Sequence, residues 1–443
     1  MEAAMLTTTL LLLCIACANA FMFIRECVDS RGPDGTFPVP CCPLYNGSPC
    51  GESFGRGTCV LVKKTRSGDV QDRHIDERYG FPQAFYSTIC QCAGNYDGPM
   101  CAECKHGYMG DDCSIPYSVL RKEIRQMSLL EWRNFKAALN YCKVVIDPYY
   151  YLMKALDRLS SESYVFITAS YYDVWCYNHF YATLPFINNT RENNIINYAH
   201  YSTGFLSFHR YLLLKLENQL HRCMNDPDIA IPYLDWSQDI GNELFTDEYF
   251  GSVGSNGRIT ENSVFSTWHL TCGGYQYPQT ACLMEDCRCQ NPGIERQIFD
   301  LNVPLSTRAD INYCLSIDVL DTAPFTWGVT SFRNCLEGNI NRYGQSATTN
   351  HNAFHMVVGG TMSQVPISCN DPCFMFHHSF IEKIFCIYSE KIQITPDDYP
   401  PDNHIYGHGA NDCITPYTSC VKQKEMFVSC ASLGVQYTSY RDL

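Results

Sequence analysis

The sequence predicts a mainly α-helical protein with a small disulfide-rich module at its N-terminal end. Ten cysteines fall between Cys27 and Cys113, among many glycines and prolines, so this segment is too poor in apolar residues to build a core of its own. From about Ser114 onward, apolar residues recur at helical spacing and few alternating strand patterns interrupt them. The 443 residues, 46% hydrophobic and 18% charged, describe a globular chain of more than one domain.

The first twenty residues have the pattern of a secretory signal peptide. Leu6–Cys17 is an apolar run, and the small residues Ala18 and Ala20 fit a cleavage site at the end of residues 1–20. The run is shorter than the roughly 20 residues that cross a bilayer, and no later apolar run is long enough. We therefore expect a secreted or lumenal chain without a membrane span.

The cysteine count and the charge agree with an extracellular or lumenal compartment. Of 27 cysteines, 25 remain after the signal peptide, and such a number is typical of a disulfide framework. The sequons at Asn46 and Asn188 predict glycosylation. The formal net charge of −14, without a basic run to offset it, argues against nucleic acid as a partner.

Residues 21–113 are predicted to form the cysteine-rich module. Its last part, "CQCAGNYDGPMCAECKHGYMGDDC", has the cysteine and glycine rhythm of a laminin-type EGF-like module. A zinc site would be the other interpretation of the CxxC spacing, but the oxidising context favours disulfides. His106, inside this stretch, is expected on the surface.

Residues 114–430 are predicted to form the larger, helical domain, followed by a tail at 431–443. Ser128 and Glu131 make a capping box before a helical apolar pattern. A later helix should end at Gly359–Gly360, and another should begin at Asn370–Pro372 with Asp371 as the N-cap.

Four histidines in one stretch of 28 residues indicate a metal site. His351 and His355 are four residues apart, so two imidazoles on one helix face can meet one ion. In the next helix His378 shares a stripe with Phe374, whereas His377 points about 100° away. We therefore select His378 as the third ligand and interpret His377 as a core histidine with a hydrogen-bond partner.

Three earlier histidines form a matching set. His209 occupies a core position of the strongly apolar stretch "FLSFHRYLLLKLENQLHR", and His200 and His179 precede it in aromatic surroundings. Two sets of three imidazoles on facing helices describe a dinuclear site inside a helical bundle. Ligation by imidazole alone suits copper, zinc, iron or nickel and excludes magnesium and calcium.

Long motifs around these histidines resemble the animal tyrosinases, which are type-3 dicopper proteins. The motifs are "YAHYSTGFLSFHRYLLLKLENQL", "HNAFH", "GTMSQV" and "NDPCFMFHH". The resemblance implies a four-helix bundle around two copper ions. It assigns one ion to the first set of histidines and the other to the second, namely His179, His200 and His209, then His351, His355 and His378.

The resemblance also implies roles for three further residues. Asn352 and Glu337 would hold a water that acts as a base, and Val365 would lie above the second copper. The family's Trp is replaced by Leu234 in "IPYLDW", and an expected Asp is Glu382, so that ligand orientation could differ. The family's membrane anchor is missing from this sequence, which puts a melanosome-type location in doubt unless the chain is truncated.

The activity that the resemblance implies is ortho-hydroxylation of monophenols and oxidation of o-diphenols to o-quinones with O2, in melanin or pigment formation. The partners would be small phenolic substrates and O2. Three alternatives stay open: a zinc-containing tyrosinase-related isomerase, a catechol oxidase without hydroxylase activity, and a non-enzymatic O2 carrier like the hemocyanins. The doubled histidine His377–His378 and Val365 favour a tyrosinase. The absence of a shielding domain argues against the O2 carrier.

Overall fold

The structure is a computed structural model, and it describes most of the chain beyond the predicted signal peptide. The predicted signal residues 1–19 and the sequon at Asn188 lie outside the described residues. These comprise 20–30, 37–62, 78, 81–155, 164–184, 186–187, 195–238, 243–271, 293–298 and 303–439.

Helices dominate the described residues beyond residue 113, as predicted. In the described part of the chain they are α1 Leu129–Val144, α2 Tyr171–Thr183, α3 Gly204–Met224, α4 Arg308–Ser316, α5 Phe332–Glu337, α6 Asn350–Val358 and α7 Cys373–Ile392. A short 3-10 turn, Val365–Asn370, lies between α6 and α7.

The strands are short and form small sheets. They are β1 Ala20–Ile24, β2 Val39–Pro40, β3 Leu44–Tyr45, β4 Ser48–Pro49, β5 Gly57–Leu61, β6 Tyr86–Cys92, β7 Tyr96–Asp97, β8 Glu103–Cys104, β9 Tyr108–Met109, β10 Ile115–Pro116, β11 Val119–Arg121, β12 Ile146–Ala155, β13 Tyr164–Ser170, β14 Phe186–Ile187, β15 Ile195–Ile196 and β16 Val435–Tyr437. The three-stranded sheets have the orders β1-β12-β13 and β2-β6-β5, and the remaining pairs are β3-β4, β7-β8, β9-β10, β11-β16 and β14-β15.

The helix boundaries follow the predicted capping signals. Ser128 and Glu131 form the capping box of α1, which satisfies backbone N–H groups of its first turn. α6 ends at Gly359, whose φ of 65° favours a residue without a side chain. With Asp371 as its N-cap, α7 would begin at Pro372, but it begins one residue later, at Cys373. An Asp371 carboxylate oxygen still accepts from the Cys373 N–H at 2.9 Å.

The hairpin β12–β13 was not predicted. It precedes α2, and β1 pairs with its first strand, β12, from Ala20↔Lys154 to Ile24↔Tyr150, so that β12 is the central strand of this sheet. A strand with tyrosines at consecutive positions, as in "DPYYYLM", does not show the alternation of polar and apolar residues that identifies a half-buried strand. One of its two partners, β1, lies more than 120 residues earlier in the chain, and a local pattern does not reveal that pairing.

Every one of the ten cysteines in the N-terminal segment lies in a disulfide, which confirms the predicted chemistry over zinc binding. The pairs are Cys27–Cys41, Cys42–Cys59, Cys50–Cys90, Cys92–Cys101 and Cys104–Cys113. Four more disulfides lie in the larger domain, at Cys142–Cys223, Cys314–Cys335, Cys386–Cys430 and Cys413–Cys420. These nine bonds are consistent with a secreted or lumenal chain. No helix in the described ranges has the length and apolar character needed to cross a bilayer.

The N-terminal segment packs on α3 through charged groups. Asp97 accepts from the Lys215 ammonium at 2.5 Å, and His106 Nε2 lies 3.0 Å from a Glu217 carboxylate oxygen. The expectation that His106 is a surface residue was wrong, because its side chain is buried between Glu217 and the Leu433 carbonyl. The local sequence gives no sign of this contact, since its partners are more than 100 residues away.

Of the two predicted sequons, the one at Asn46 lies within the described residues, in the exposed turn between β3 and β4. Asn46 lies there with a φ of 47°, and its side chain is open to solvent. Its position is therefore compatible with the predicted glycosylation.

Candidate metal centre

The first histidine set comes from α2, from α3 and from the loop between them. α2 is buried on almost all sides, with eleven of its thirteen residues inaccessible, so His179 lies deep in the core. His209 lies on the buried face of α3. One nitrogen from each of His179, His200 and His209 lies within 4.8 Å of the others.

The loop that carries His200 is held by two polar side chains. Asn197 accepts from the His200 N–H at 3.0 Å and donates to the Thr183 carbonyl at 3.1 Å. His408, which the sequence analysis missed, accepts from the Gly204 N–H at 3.0 Å and contacts the Asn197 carbonyl at 2.6 Å. His408 thus joins the loop to the start of α3, although no local motif marks it.

The second set comes from α6 and α7. The Nε2 atom of His355 lies 3.1 Å from that of His351 and 3.4 Å from that of His378. Three nitrogens around one metal ion, with bonds of about 2.0 Å and near-tetrahedral angles, are about 3.3 Å apart. The spacing of these nitrogens therefore fits a shared metal ion.

Hydrogen bonds at Nδ1 orient three of these rings. His209 Nδ1 donates to the Phe205 carbonyl at 2.9 Å, and His355 Nδ1 donates to the Met362 carbonyl at 2.7 Å. His351 Nδ1 lies 3.3 Å from the Glu337 carbonyl. A proton on Nδ1 leaves the Nε2 lone pair free for a metal, and such outer contacts are typical of metal-binding histidines.

The two sets face each other in one buried space. The rings of His209 and His378 stack with centroids 4.3 Å apart, and Phe374 lies 4.0 Å from His378 and 4.8 Å from His179. Burial lowers the pKa of His209 to about 3 and that of His355 to about 4, so the rings are neutral at pH 7. The Nε2 atoms of His179 and His209 are buried without a hydrogen-bond partner among the described residues. Such neutral, unsatisfied nitrogens fit metal ions that imidazole favours.

Known proteins are similar in sequence to this chain. Residues 169–391 match the family model described as the common central domain of tyrosinase. The chain is 30% identical to the tyrosinase of Canis lupus familiaris over 440 residues, which cover 95% of this chain and 82% of that protein.

The chain belongs to the tyrosinase family. Its centre is a type-3 dinuclear site whose cofactors are two copper ions. The predicted resemblance is therefore confirmed.

One further protein is similar in sequence, and one solved structure is similar in fold. The chain is also 30% identical to the 5,6-dihydroxyindole-2-carboxylic acid oxidase of Ambystoma mexicanum, over 98% of this chain and 86% of that protein. A polyphenol oxidase structure from Thermothelomyces thermophila matches with a TM-score of 0.52 and 15% identity, over 73% of this chain and 89% of that one. The structural match shows that the fold is shared.

His377 lies close enough to the second set to compete for a metal. One of its nitrogens lies within 4.8 Å of ligand atoms of His351, His355 and His378. However, the indole N–H of Trp236 donates to His377 Nδ1 at 3.0 Å. Because Nδ1 accepts this hydrogen bond, a neutral His377 ring carries its proton on Nε2, which favours His378 as the candidate ligand.

Glu337 and Asn352, for which the family resemblance implies a role, both lie beside His351. One Glu337 oxygen accepts from the Tyr201 N–H at 2.6 Å and the other from Arg333 at 2.8 Å. The Asn352 side-chain oxygen lies 3.0 Å from His351 Nδ1. Burial raises the pKa of Glu337 above its ordinary value, although Arg333 opposes that rise. Arg333 is a residue of the site that the sequence analysis missed.

The remaining predicted positions lie on the elements that carry the histidines or in segments next to them. Val365 begins the turn after Met362 and is half-buried, whereas Leu234 is fully buried and its N–H donates to the Phe376 carbonyl of α7. Glu382 accepts from Arg210 Nε at 2.7 Å. Arg210 directly follows His209, so Glu382 contacts the neighbour of a candidate ligand.

Proposed function

We propose that this chain is a tyrosinase, which ortho-hydroxylates monophenols and oxidises o-diphenols to o-quinones with O2. The observation that supports this most strongly is the pair of facing sets of neutral imidazoles, with His209 and His378 stacked between them. We assign one copper to the first set and one to the second, namely His179, His200 and His209, then His351, His355 and His378.

The chain's own contribution is to hold these ligands in one protonation state and to exclude bulk water. When bound, the copper pair supplies the redox chemistry that couples O2 reduction to phenol oxidation. The backbone carbonyls at Nδ1 keep the Nε2 atoms of His209 and His355 available, and Phe374 covers the space between the sets. Val365 lies at the half-buried edge, where we propose that a phenolic ring enters.

Proton removal distinguishes the two reactions. A phenol has a pKa near 10 and is almost wholly protonated at neutral pH, so hydroxylation needs a base. We propose that a water held between Glu337 and Asn352 accepts this proton. Each Glu337 oxygen uses one of its two lone pairs on protein donors, which leaves one for a water.

A second candidate is an o-diphenol oxidase without hydroxylase activity. Both Glu337 oxygens already accept hydrogen bonds, and the Arg333 cation weakens that carboxylate as a base. The relative from Ambystoma mexicanum, named as a 5,6-dihydroxyindole-2-carboxylic acid oxidase, is as similar to the chain as the canine tyrosinase is. An oxidase of this kind would act on a diphenol that needs no base.

The proposal also covers the helices around the site, the N-terminal segment and the location of the protein. We propose that α2, α3, α6 and α7 form a four-helix bundle around the coppers, and that residues 21–113 are an EGF-like module docked on α3. The protein would be secreted or lumenal, and its substrates small phenols in pigment formation.

The test is metal analysis and two activity assays on the copper-loaded full chain. We expect two coppers per chain, and turnover of both a monophenol and an o-diphenol. Glu337→Gln should lower monophenol turnover far more than diphenol turnover, whereas the exposed Glu390→Gln should change neither. Diphenol turnover alone in the unmodified protein would select the oxidase. Two zinc ions after copper loading, without oxidase activity, would refute both and favour an isomerase.

A further inference from the structure

Two buried cysteines outside the candidate ligands face each other across the core. Cys176 lies on α2, three residues before His179, and Cys369 lies in the turn Val365–Asn370. The thiol of Cys176 donates to the Cys369 carbonyl at 3.2 Å, and the thiol of Cys369 donates to the Cys176 carbonyl at 3.2 Å. Each thiol therefore lies against the backbone of the other residue, and the two side chains are close neighbours in the core. A disulfide would form if the two sulfurs turn toward each other.

These two thiols are unpaired in a chain whose other described cysteines are mostly in disulfides. The other cysteines of the described ranges form nine disulfides, and Cys176, Cys369 and Cys373 are the described thiols left over. The compartment that oxidises eighteen cysteines also supplies the oxidant for a neighbouring pair. Tyr172 donates to the Cys369 carbonyl at 2.9 Å, so α2 holds the turn in place beside Cys176.

We propose that Cys176 and Cys369 form a disulfide in the mature protein and thereby tie α2 to the turn that begins at Val365. The two S–H bonds break, one S–S bond forms, and the two electrons and two protons pass to a disulfide of a secretory oxidoreductase, which becomes a dithiol. The disulfide does not depend on the proposed activity. Its place between the two copper sites does rest on that proposal.

The burial of the pair determines when the bond forms. Burial raises the pKa of the Cys176 thiol, and exchange needs a thiolate. The bond must therefore form while α2 and the turn are still assembling. In the folded protein the same burial keeps reductants away from it.

The cross-link would join the walls of the two copper sites. α2 carries His179 of the first set. The turn follows Met362, whose carbonyl orients His355 of the second set. With the bond in place, the turn bearing Val365 cannot move away from α2 without breaking a covalent bond.

The deciding experiment is peptide mapping of the secreted full chain, alkylated under denaturing conditions without reduction. We expect one cross-linked peptide pair containing Cys176 and Cys369, and an alkylated Cys373. Cys373→Ser is the matched control and should keep the cross-link. Alkylation of both Cys176 and Cys369, or a link from either to another cysteine, would overturn the proposal.

A second measurement separates a disulfide from a soft-metal site. The double variant Cys176→Ser, Cys369→Ser should retain two coppers and unfold roughly 5 °C lower, in line with the loss of one disulfide. An unmodified chain that binds a third copper, lost in the double variant, would show that the thiols bind metal instead. Mapping of the unmodified protein still decides the question if the double variant does not fold.

Discussion

The adjacent histidines His377 and His378 should respond in opposite ways to the same substitution. Asparagine keeps a hydrogen-bond acceptor near the position of Nδ1 but cannot replace an imidazole as a copper ligand. His377→Asn should therefore keep two coppers, because its oxygen can accept from the Trp236 N–H. His378→Asn should lose one copper, because the Nε2 atom 3.4 Å from that of His355 is gone.

The magnitude for His377 comes from its contacts and its burial. His377→Ala leaves the buried Trp236 N–H without its acceptor, which costs about 1–3 kcal/mol. The side chain is fully buried, so the cavity adds about 2 kcal/mol or more. The total of about 3–5 kcal/mol should lower the unfolding midpoint by roughly 3–5 °C, because a chain of this length has an unfolding entropy of about 0.9 kcal/mol per kelvin. His377→Asn should recover a large part of that loss.

Copper content by elemental analysis and thermal unfolding of the same samples check both expectations. Trp236→Phe removes the donor instead of the acceptor. Its effect should therefore not add fully to that of His377→Ala in a double-mutant cycle. One copper in His377→Asn together with two in His378→Asn would show that the tautomer argument assigns the wrong histidine.

Three other substitutions test the base, the docked module and the start of α3. Asn352→Ala should lower monophenol turnover about 10²-fold or more at unchanged copper content, with little loss of diphenol turnover; a parallel loss would indicate a general supporting role. Burial would raise the pKa of Asp97, but Lys215 lowers it below its ordinary value of 3.8, so its stabilisation is present above pH 3.8 and is lost as the pH falls through the lowered pKa. Asp97→Asn should flatten the fall in unfolding midpoint below about pH 4, and an unchanged fall would contradict this. Gly204→Ala would place a Cβ 2.3 Å from His408 Nδ1, and should lower both the unfolding midpoint and copper occupancy; normal values of both would show that the loop adapts.

The parts of the site that the sequence predicts are those with a local pattern. His351 and His355 are one helical turn apart, and the stripe shared with Phe374 selects His378 over His377 by helical phase alone. The structure brings the three selected rings together and provides His377 with its expected partner, Trp236. Short-range periodicity is enough for His351 and His355, which lie one turn apart on α6, whereas α7 is buried on all sides along Cys373–Cys386, so that burial alone does not distinguish His378 from His377.

Other residues of the site have no local pattern. His408 lies in an irregular segment near the C-terminal end, yet it binds Asn197, about 200 residues earlier. Arg333 joins Glu337 to Asp321 through contacts that depend on how α5 packs. The sequence around His106 is typical of a surface loop, and only its contact with Glu217 of α3 buries it. Each of these contacts joins segments whose proximity only the complete fold determines.

Glu382, which stands where the family resemblance implies an Asp, joins α7 to α3. Glu382 lies on α7, four residues after His378, and its carboxylate accepts from Arg210 on α3, next to His209. Arg210 also donates to the Met426 carbonyl at 2.6 Å, so one buried guanidinium joins both helices to the C-terminal segment.

The ion pair between Arg210 and Glu382 is buried, so neither residue can be removed without a large cost in stability. Burial raises the pKa of Glu382, and the Arg210 cation opposes that rise, so removal of either partner would leave an uncompensated group in the core at a cost of about 3–5 kcal/mol. His209 itself is oriented by the Phe205 carbonyl within its own helix. Ligand orientation on α3 is therefore set by backbone, and the Arg210–Glu382 pair sets the distance at which α7 presents His378 to it.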